Sequence, residues 1–185
     1  MKKRVDLPEK KYEGYIFDLD GTLVDSMPLH YRAWREALAR AGAPDHVFRA
    51  DEFYSCGGKS ANDVVRFLNE RYGMHMDAAS TAADKRRIYL EMLEKEGMQP
   101  IREVVEFVHS LGDAPKAIAT GSAMPGASRT LAAAGLSGLF DVILTPDEVE
   151  HGKPAPDMFL KAAELLGVSP DRCVVFEDAE PGMKA

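Results

Sequence analysis

The sequence predicts an α/β fold: a parallel sheet covered by helices on both faces and interrupted near its start by a helical insert. Three observations carry this prediction. A short apolar run, YIF, stands at 15–17, and beyond residue 100 further ones (KAIAT at 116–120, FDVILT at 140–145, RCVVFED at 172–178) alternate with helical segments. Strands that read as continuous apolar runs suit a parallel sheet buried on both faces. No strand pattern appears between residues 28 and 96. Polar groups gather where the apolar runs end, and open α/β sheets bind ligands beyond the carboxyl ends of their strands.

The elements follow in order. Tyr15, Ile16 and Phe17 are aromatic or β-branched and form the first strand. MPLHYRAWREALARAG then places Leu29, Ala33, Trp34, Ala37, Leu38 and Ala41 at helical spacing, and Gly42 stops it. GGKSANDVVRFLNERYG is a second helix, with Ser60 as N-cap and Val64, Val65 and Leu68 on one face. A third runs from about Asp77 to Glu96. PIREVVEFVHSLG is helical, and KAIAT is a strand. SAMPGASRTLAAAGL is a helix with Pro125 in its first turn. FDVILT is a strand, KPAPDMFLKAAELLGV a helix with prolines at its start, and RCVVFED a strand ending in two acids. The expected domains are a discontinuous core, 1–27 with 97–185, and a helical insert at 28–96. Repeats and low-complexity tracts are absent from the sequence.

The chain has 185 residues, 45% of them hydrophobic, and a formal charge of -7, which suggests no basic patch for nucleic acid. Cys56 and Cys173 lack metal-site or CxxC spacing and read as free thiols in a reducing compartment. The opening MKKRVDLPEK is basic but lacks the apolar stretch of a signal peptide, and no window approaches a membrane span. The expectation is a cytoplasmic protein with no nucleic-acid or membrane partner. No strong interface signal is visible, so a monomer or weak homodimer is expected.

YIFDLDGTLVD carries the first chemical signal. Asp is depleted in strands and costly to bury unpaired, yet Asp18 and Asp20 close an apolar run. Spaced i, i+2, they point the same way if the strand conformation continues, and a divalent cation is the simplest remedy for their repulsion. Glu177 and Asp178 end the last strand in the same manner. Together these are hard oxygen ligands suited to Mg²⁺, and no Cys/His cluster suggests zinc. Thr120, Gly121 and Ser122 offer a hydroxyl, a flexible residue and helix N-terminal amides, a composition that binds anions and is also that of an ordinary N-cap. Lys153, set between Gly152 and Pro154, is placed to neutralise a phosphate.

A phosphate ester among these groups needs mainly positioning and charge stabilisation. Asp18 would attack phosphorus, giving an aspartyl-phosphate, while Asp20 would protonate the leaving oxygen and then activate water.

DLDGT at 18–22, ATGS at 119–122, GKPAPD at 152–157 and VVFEDA at 174–179 together resemble the haloacid dehalogenase (HAD) superfamily, in the family's order. The resemblance implies a Rossmann-like core with an inserted small α-helical cap domain. It implies Mg²⁺ held by Asp18, the Asp20 main-chain carbonyl, Glu177 and Asp178. It gives Asp18 the role of nucleophile, Asp20 that of acid/base, and Thr120 and Lys153 the grip on the phosphoryl group, with Gly121 and Ser122 binding substrate. The insert is similar to the cap of the β-phosphoglucomutase-like branch, which includes sugar-phosphate phosphatases and compact fructose-1-phosphate phosphatases. There His30 falls near the substrate and Lys59 in the specificity loop. The mutases have an arginine about there for a second phosphate; this sequence has none aligned, and Lys59 offers a point charge rather than a fork. The family continues past FEDA with a helix and a further strand, and this sequence ends within that helix.

The expected activity is therefore hydrolysis of a small phosphorylated sugar or related metabolite, with β-phosphoglucomutase as the alternative. A phospho-receiver domain uses similar groups, but its acidic pair precedes the phosphorylated Asp and it has no helical insert after the first strand.

Overall fold

The computed structural model describes residues 12–57 and 59–185. The MKKRVDLPEK stretch therefore lies outside the described residues. The chain divides into two compact units, one ending at Asp25 and resuming from Met98 to Ala185, the other spanning Ser26–Gly97.

Among the described residues, the first unit is built on four strands: β1 (Gly14–Phe17), β2 (Lys116–Ala119), β3 (Val142–Leu144) and β4 (Cys173–Phe176). All pair in parallel, in the order β3-β2-β1-β4. The α/β expectation is borne out. β1 lies at the centre, with Phe17 opposite Ile118 on one side and Phe176 on the other. Successive strand residues face opposite sides of the sheet. Ile16, Ala117, Ala119 and Leu144 pack with Met158, Phe159, Ala162 and Ala163 of a helix at Asp157–Leu166. Phe17 faces the other way. It stacks on Phe176 at 4.6 Å and meets Phe107, from a helix at Arg102–Ser110, and Phe140.

The second unit is helical: α1 (Met27–Arg40), α2 (Ala50–Ser55), α3 (Ala61–Tyr72) and α4 (Ala78–Glu96). Ser60 caps α3 by accepting from the Asp63 amide, and Asp77 caps α4 by accepting from that of Ser80. Trp34, Leu38, Phe48, Phe53, Val65 and Leu68 form its core. α2 has six residues, too few to show a period, and no sequence pattern marks it. Its Glu52 is tied to three places. Oε2 accepts from the Phe48 amide at 3.2 Å and the Tyr72 hydroxyl at 2.9 Å, and Arg71 Nε lies 2.7 Å from Oε1. This holds Phe48, buried at φ 59°, in a left-handed conformation unusual for a bulky residue.

The remaining helices complete the first unit: α5 (Arg102–Ser110), α6 (Met124–Ala133), α7 (Asp157–Leu166) and α8 (Glu180–Lys184). Two begin later than the sequence suggests. α6 starts at Met124 after the N-cap Ala123, so Gly121 and Ser122 form a turn ahead of it. α7 starts at Asp157, because Pro154 and Pro156 lie in the lead-in rather than in the helix. The Lys153–Pro154 bond is cis. Among the described residues, no helix is long and apolar enough to cross a membrane.

Candidate active site

β1 ends at Phe17, and the ladder takes one further rung: the Asp18 amide donates to Phe176 O at 2.9 Å. That rung sets Asp18 beside the acids that follow β4. The chain then turns tightly. Leu23 and Val24 donate back to Leu19 O, and Gly21 donates to Val24 O. Gly21 stands at φ 96°, and a methyl there would overlap the Asp178 carboxylate. Gly182 similarly lies where a methyl would overlap the Glu177 carboxyl. Gly182 is not distinguishable by sequence alone from an ordinary helix glycine, and Gly21, though within DLDGT, has no role predicted from sequence.

Lys153 is the hub of the cluster. Its Nζ donates to Asp18 Oδ1 and to Glu177 Oε2, both at 2.6 Å, and its side chain is 9% exposed. Glu177 Oε1 also accepts from the Ala179 amide. Asp178 Oδ1 accepts from the Thr22 hydroxyl at 3.2 Å, a partner that lies within DLDGT and has no role predicted from sequence. Ser122 Oγ donates to Asp20 Oδ2 at 2.6 Å, and the Ser122 amide donates to Thr120 Oγ1 at 3.0 Å. Thr120 is buried, its own amide donating to Leu144 O across to β3. The end of β3 contributes no acid here: Thr145 closes on Glu148 in a local cap.

Charge in this cluster is unbalanced. Burial pushes the Asp18 carboxyl up to about 8; Lys153 opposes this, and Glu177 and Asp20 add to it. Asp178 is also pushed up, by burial and then by Glu177. Burial pulls Lys153 down, but Asp18 and Glu177 outweigh it and the ammonium is held above its usual range. One lysine thus faces several carboxylates. Oxygens of Asp18, Glu177 and Asp178 lie within 4.8 Å of one another, a hard donor set that fits a divalent cation and whose crowding such a cation would relieve. The Asp20 carboxylate is not part of that group and is engaged by Ser122.

The sequence-predicted residues Asp18, Asp20, Thr120, Ser122, Lys153, Glu177 and Asp178 are joined in this way within one unit, with Gly121 between Thr120 and Ser122. His30 and Lys59 belong to the helical unit. There His30 Nδ1 lies 2.8 Å from Lys85 Nζ, and its ring stacks on Tyr89 at 4.0 Å. Lys85 in turn lies over the faces of Trp34 and Tyr89. Sequence reasoning misses Lys85, because nothing at position 85 marks it from the other charges of α4. Lys59 is exposed, with Nζ 5.8 Å from the Phe67 ring.

Acids after two adjacent parallel strands, a hydroxyl after a third and a buried lysine linking them define an α/β protein with a site at the carboxyl edge of its sheet. Residues 12–185 match the model of the haloacid dehalogenase-like hydrolases, and the chain belongs to that family. It is 36% identical over 177 residues to fructose-1-phosphate phosphatase YqaB of Escherichia coli, covering 95% of this chain and 92% of that protein. It is 35% identical over 205 residues to a β-phosphoglucomutase of Mycobacterium bovis, covering 97% and 78%. Among solved structures, CbbY from Rhodobacter sphaeroides in complex with xylulose 1,5-bisphosphate superposes with a TM-score of 0.81 at 25% identity, covering 94% of this chain and 81% of that one.

Proposed function

We propose that this protein is a Mg²⁺-dependent phosphatase of small phosphorylated sugars that works through an aspartyl-phosphate on Asp18. The observation that carries the reading is the buried Asp18 carboxylate, held by a lysine that also holds Glu177, with a second carboxylate, Asp20, two residues on. The sugar-phosphate class is supported by the phosphatase and mutase names of the relatives.

In the first step an Asp18 oxygen attacks phosphorus. The bond from phosphorus to the sugar oxygen breaks, and that oxygen takes its electron pair and a proton from the Asp20 carboxyl. In the second step Asp20, now a carboxylate, takes a proton from water. The water oxygen attacks phosphorus, the bond to Asp18 breaks and phosphate leaves. Lys153 and Thr120 hold the phosphoryl oxygens, as Gly121 does through its main chain. Asp18, the Asp20 carbonyl, Glu177 and Asp178 would hold the metal, and Thr22 and Gly21 keep Asp178 in place. When bound, Mg²⁺ supplies positive charge against the phosphoryl oxygens. His30 and Lys59 are the proposed sugar-selecting residues of the helical unit.

The second reading, β-phosphoglucomutase, is favoured by the identity to the mycobacterial enzyme. It differs in whether a sugar hydroxyl or water receives the phosphoryl group. One assay separates the two: phosphate release from a sugar-phosphate panel, with Mg²⁺ and with EDTA. The panel includes fructose 1-phosphate and β-glucose 1-phosphate, with glucose 6-phosphate measured in parallel. Metal-dependent phosphate release that Asp18→Asn abolishes is expected. Conversion to glucose 6-phosphate with little free phosphate would establish the mutase, and full activity in Asp18→Asn would remove the nucleophile assignment.

A further inference from the structure

Ser122 spends both of its donors inside the protein. Its hydroxyl makes a 2.6 Å bond to Asp20 Oδ2, and its amide donates to Thr120 Oγ1. Asp20 and Ser122 are 102 positions apart and come from the turn after β1 and the turn after β2. β1 and β2 are adjacent in register, with Phe17 opposite Ile118, so each turn is anchored by the same rigid ladder. Asp20 is half-buried in a tight turn, and its carboxylate, unlike those of Asp18 and Glu177, receives no bond from Lys153.

We propose that Ser122 is a positioning residue for the leaving-group acid: its hydroxyl, bound to Oδ2, holds the Asp20 carboxyl in the orientation from which it delivers its proton to the sugar oxygen. Thr120 extends the chain, tying the acid to the group that holds the phosphoryl oxygens. The inference rests on the aspartyl-phosphate reading above and replaces the substrate contact that the sequence resemblance implies for Ser122. Its consequence is chemical selectivity. A sugar oxygen leaves as a poor leaving group and needs the proton as the bond to phosphorus breaks. A p-nitrophenyl oxygen leaves without one. A misplacement of about 1 Å in a reacting group can cost on the order of 10²-fold, and general acid catalysis contributes ~10²–10⁴-fold.

The test compares kcat/KM, which reports the steps up to phosphorylation of Asp18, for two esters. One is the sugar phosphate turned over fastest in the panel, the other p-nitrophenyl phosphate, both with saturating Mg²⁺. Ser122→Ala is expected to lose about tenfold or more on the sugar ester, mainly in kcat, and about fivefold less than that on the nitrophenyl ester. Ser122→Thr, which keeps a hydroxyl, should recover most of the loss. Equal losses on both esters, with a raised KM and weaker inhibition by inorganic phosphate, would overturn the inference and return Ser122 to gripping the phosphoryl group. Asp20→Asn separates this failure from that of the underlying reading. If its loss is also larger on the sugar ester, Asp20 is the acid whatever Ser122 does. If its losses are equal, Asp20 is not the acid and the inference falls with it.

Discussion

Replacing Lys153 by methionine isolates the electrostatic core of the site. Methionine keeps an unbranched apolar stem and removes the ammonium, which lies 5.1 Å from the centre of the Phe159 ring. That ammonium is 2.6 Å from each of two carboxylates, and its side chain is 9% exposed. Removing one partner of a buried ion pair costs about 3–5 kcal/mol, because the remaining charge is left uncompensated. For a chain of this size about 1 kcal/mol moves Tm by ~2–4 °C, so the loss at pH 8 without metal is about 6–20 °C. The loss depends on pH with a definite sign. Asp18 already holds its proton up to about 8 with Lys153 present, and without the lysine it holds it higher still. Up to about pH 8 Asp18 keeps its proton in both folded proteins, so the gap in Tm is steady; above about 8 the wild type releases that proton in the field of Lys153 while the variant still holds it, so the gap widens. Thermal melts of both proteins at about pH 7 and about pH 9.5, in EDTA, measure it. Equal Tm at pH 8, or a gap that does not widen above it, would refute the account of Lys153 as the neutralising charge.

The same geometry yields three more predictions. In the metal-free wild type, Asp18 binds a proton more tightly folded (about 8) than at its ordinary 3.8, so its contribution to stability is complete below about pH 4 and is lost as pH rises toward 8. Asp178 acts in the same direction, and added Mg²⁺ should raise Tm most at the alkaline end, as melts across pH with and without the ion would record. Gly21→Ala forces a side chain into a left-handed backbone and against the Asp178 carboxylate. It should cost about 1–2 kcal/mol and weaken Mg²⁺ binding about 10–100-fold by titration calorimetry, whereas an unchanged affinity would show that Asp178 does not bind the ion. Glu52→Ala leaves the Phe48 amide and Tyr72 hydroxyl without their acceptor. It should destabilise the helical unit by about 1–3 kcal/mol in denaturant melts, with Tyr72→Phe costing less in the Glu52→Ala background than in the wild type.

The site is legible in the sequence to an unusual depth because its groups are punctuation. An acid or a hydroxyl at the end of an apolar run breaks a local pattern, as Asp18, Asp20, Thr120, Glu177 and Asp178 do, and Lys153 stands out by its Gly-Lys-Pro setting. Lys85 and Glu52 break no pattern: each is one charge among many on a helix, and only its neighbours in space distinguish it. Gly21 and Gly182 carry no sign of the carboxylates that exclude a side chain from them. The two helix starts differ from the sequence expectation for a local reason. Pro156 is a good first-turn residue and Ser122 a good capping residue by composition, but Pro156 stands one place earlier, at the N-cap, and the Ser122 hydroxyl is drawn to Asp20.

The sequence by itself determined the alternation of strand and helix, the parallel character of the sheet and the chemical inventory of the site. Each rests on period and residue type within a few positions of the chain. Only the tertiary structure decided the strand order, with β4 beside β1, and hence that Asp18 shares Lys153 with Glu177 rather than standing alone. It also decided that Asp20 meets Ser122 and that Asp178 meets Thr22. Those pairings join residues more than a hundred positions apart. They are set by which apolar faces bury one another, a property of the packed sheet that no local pattern in the chain encodes.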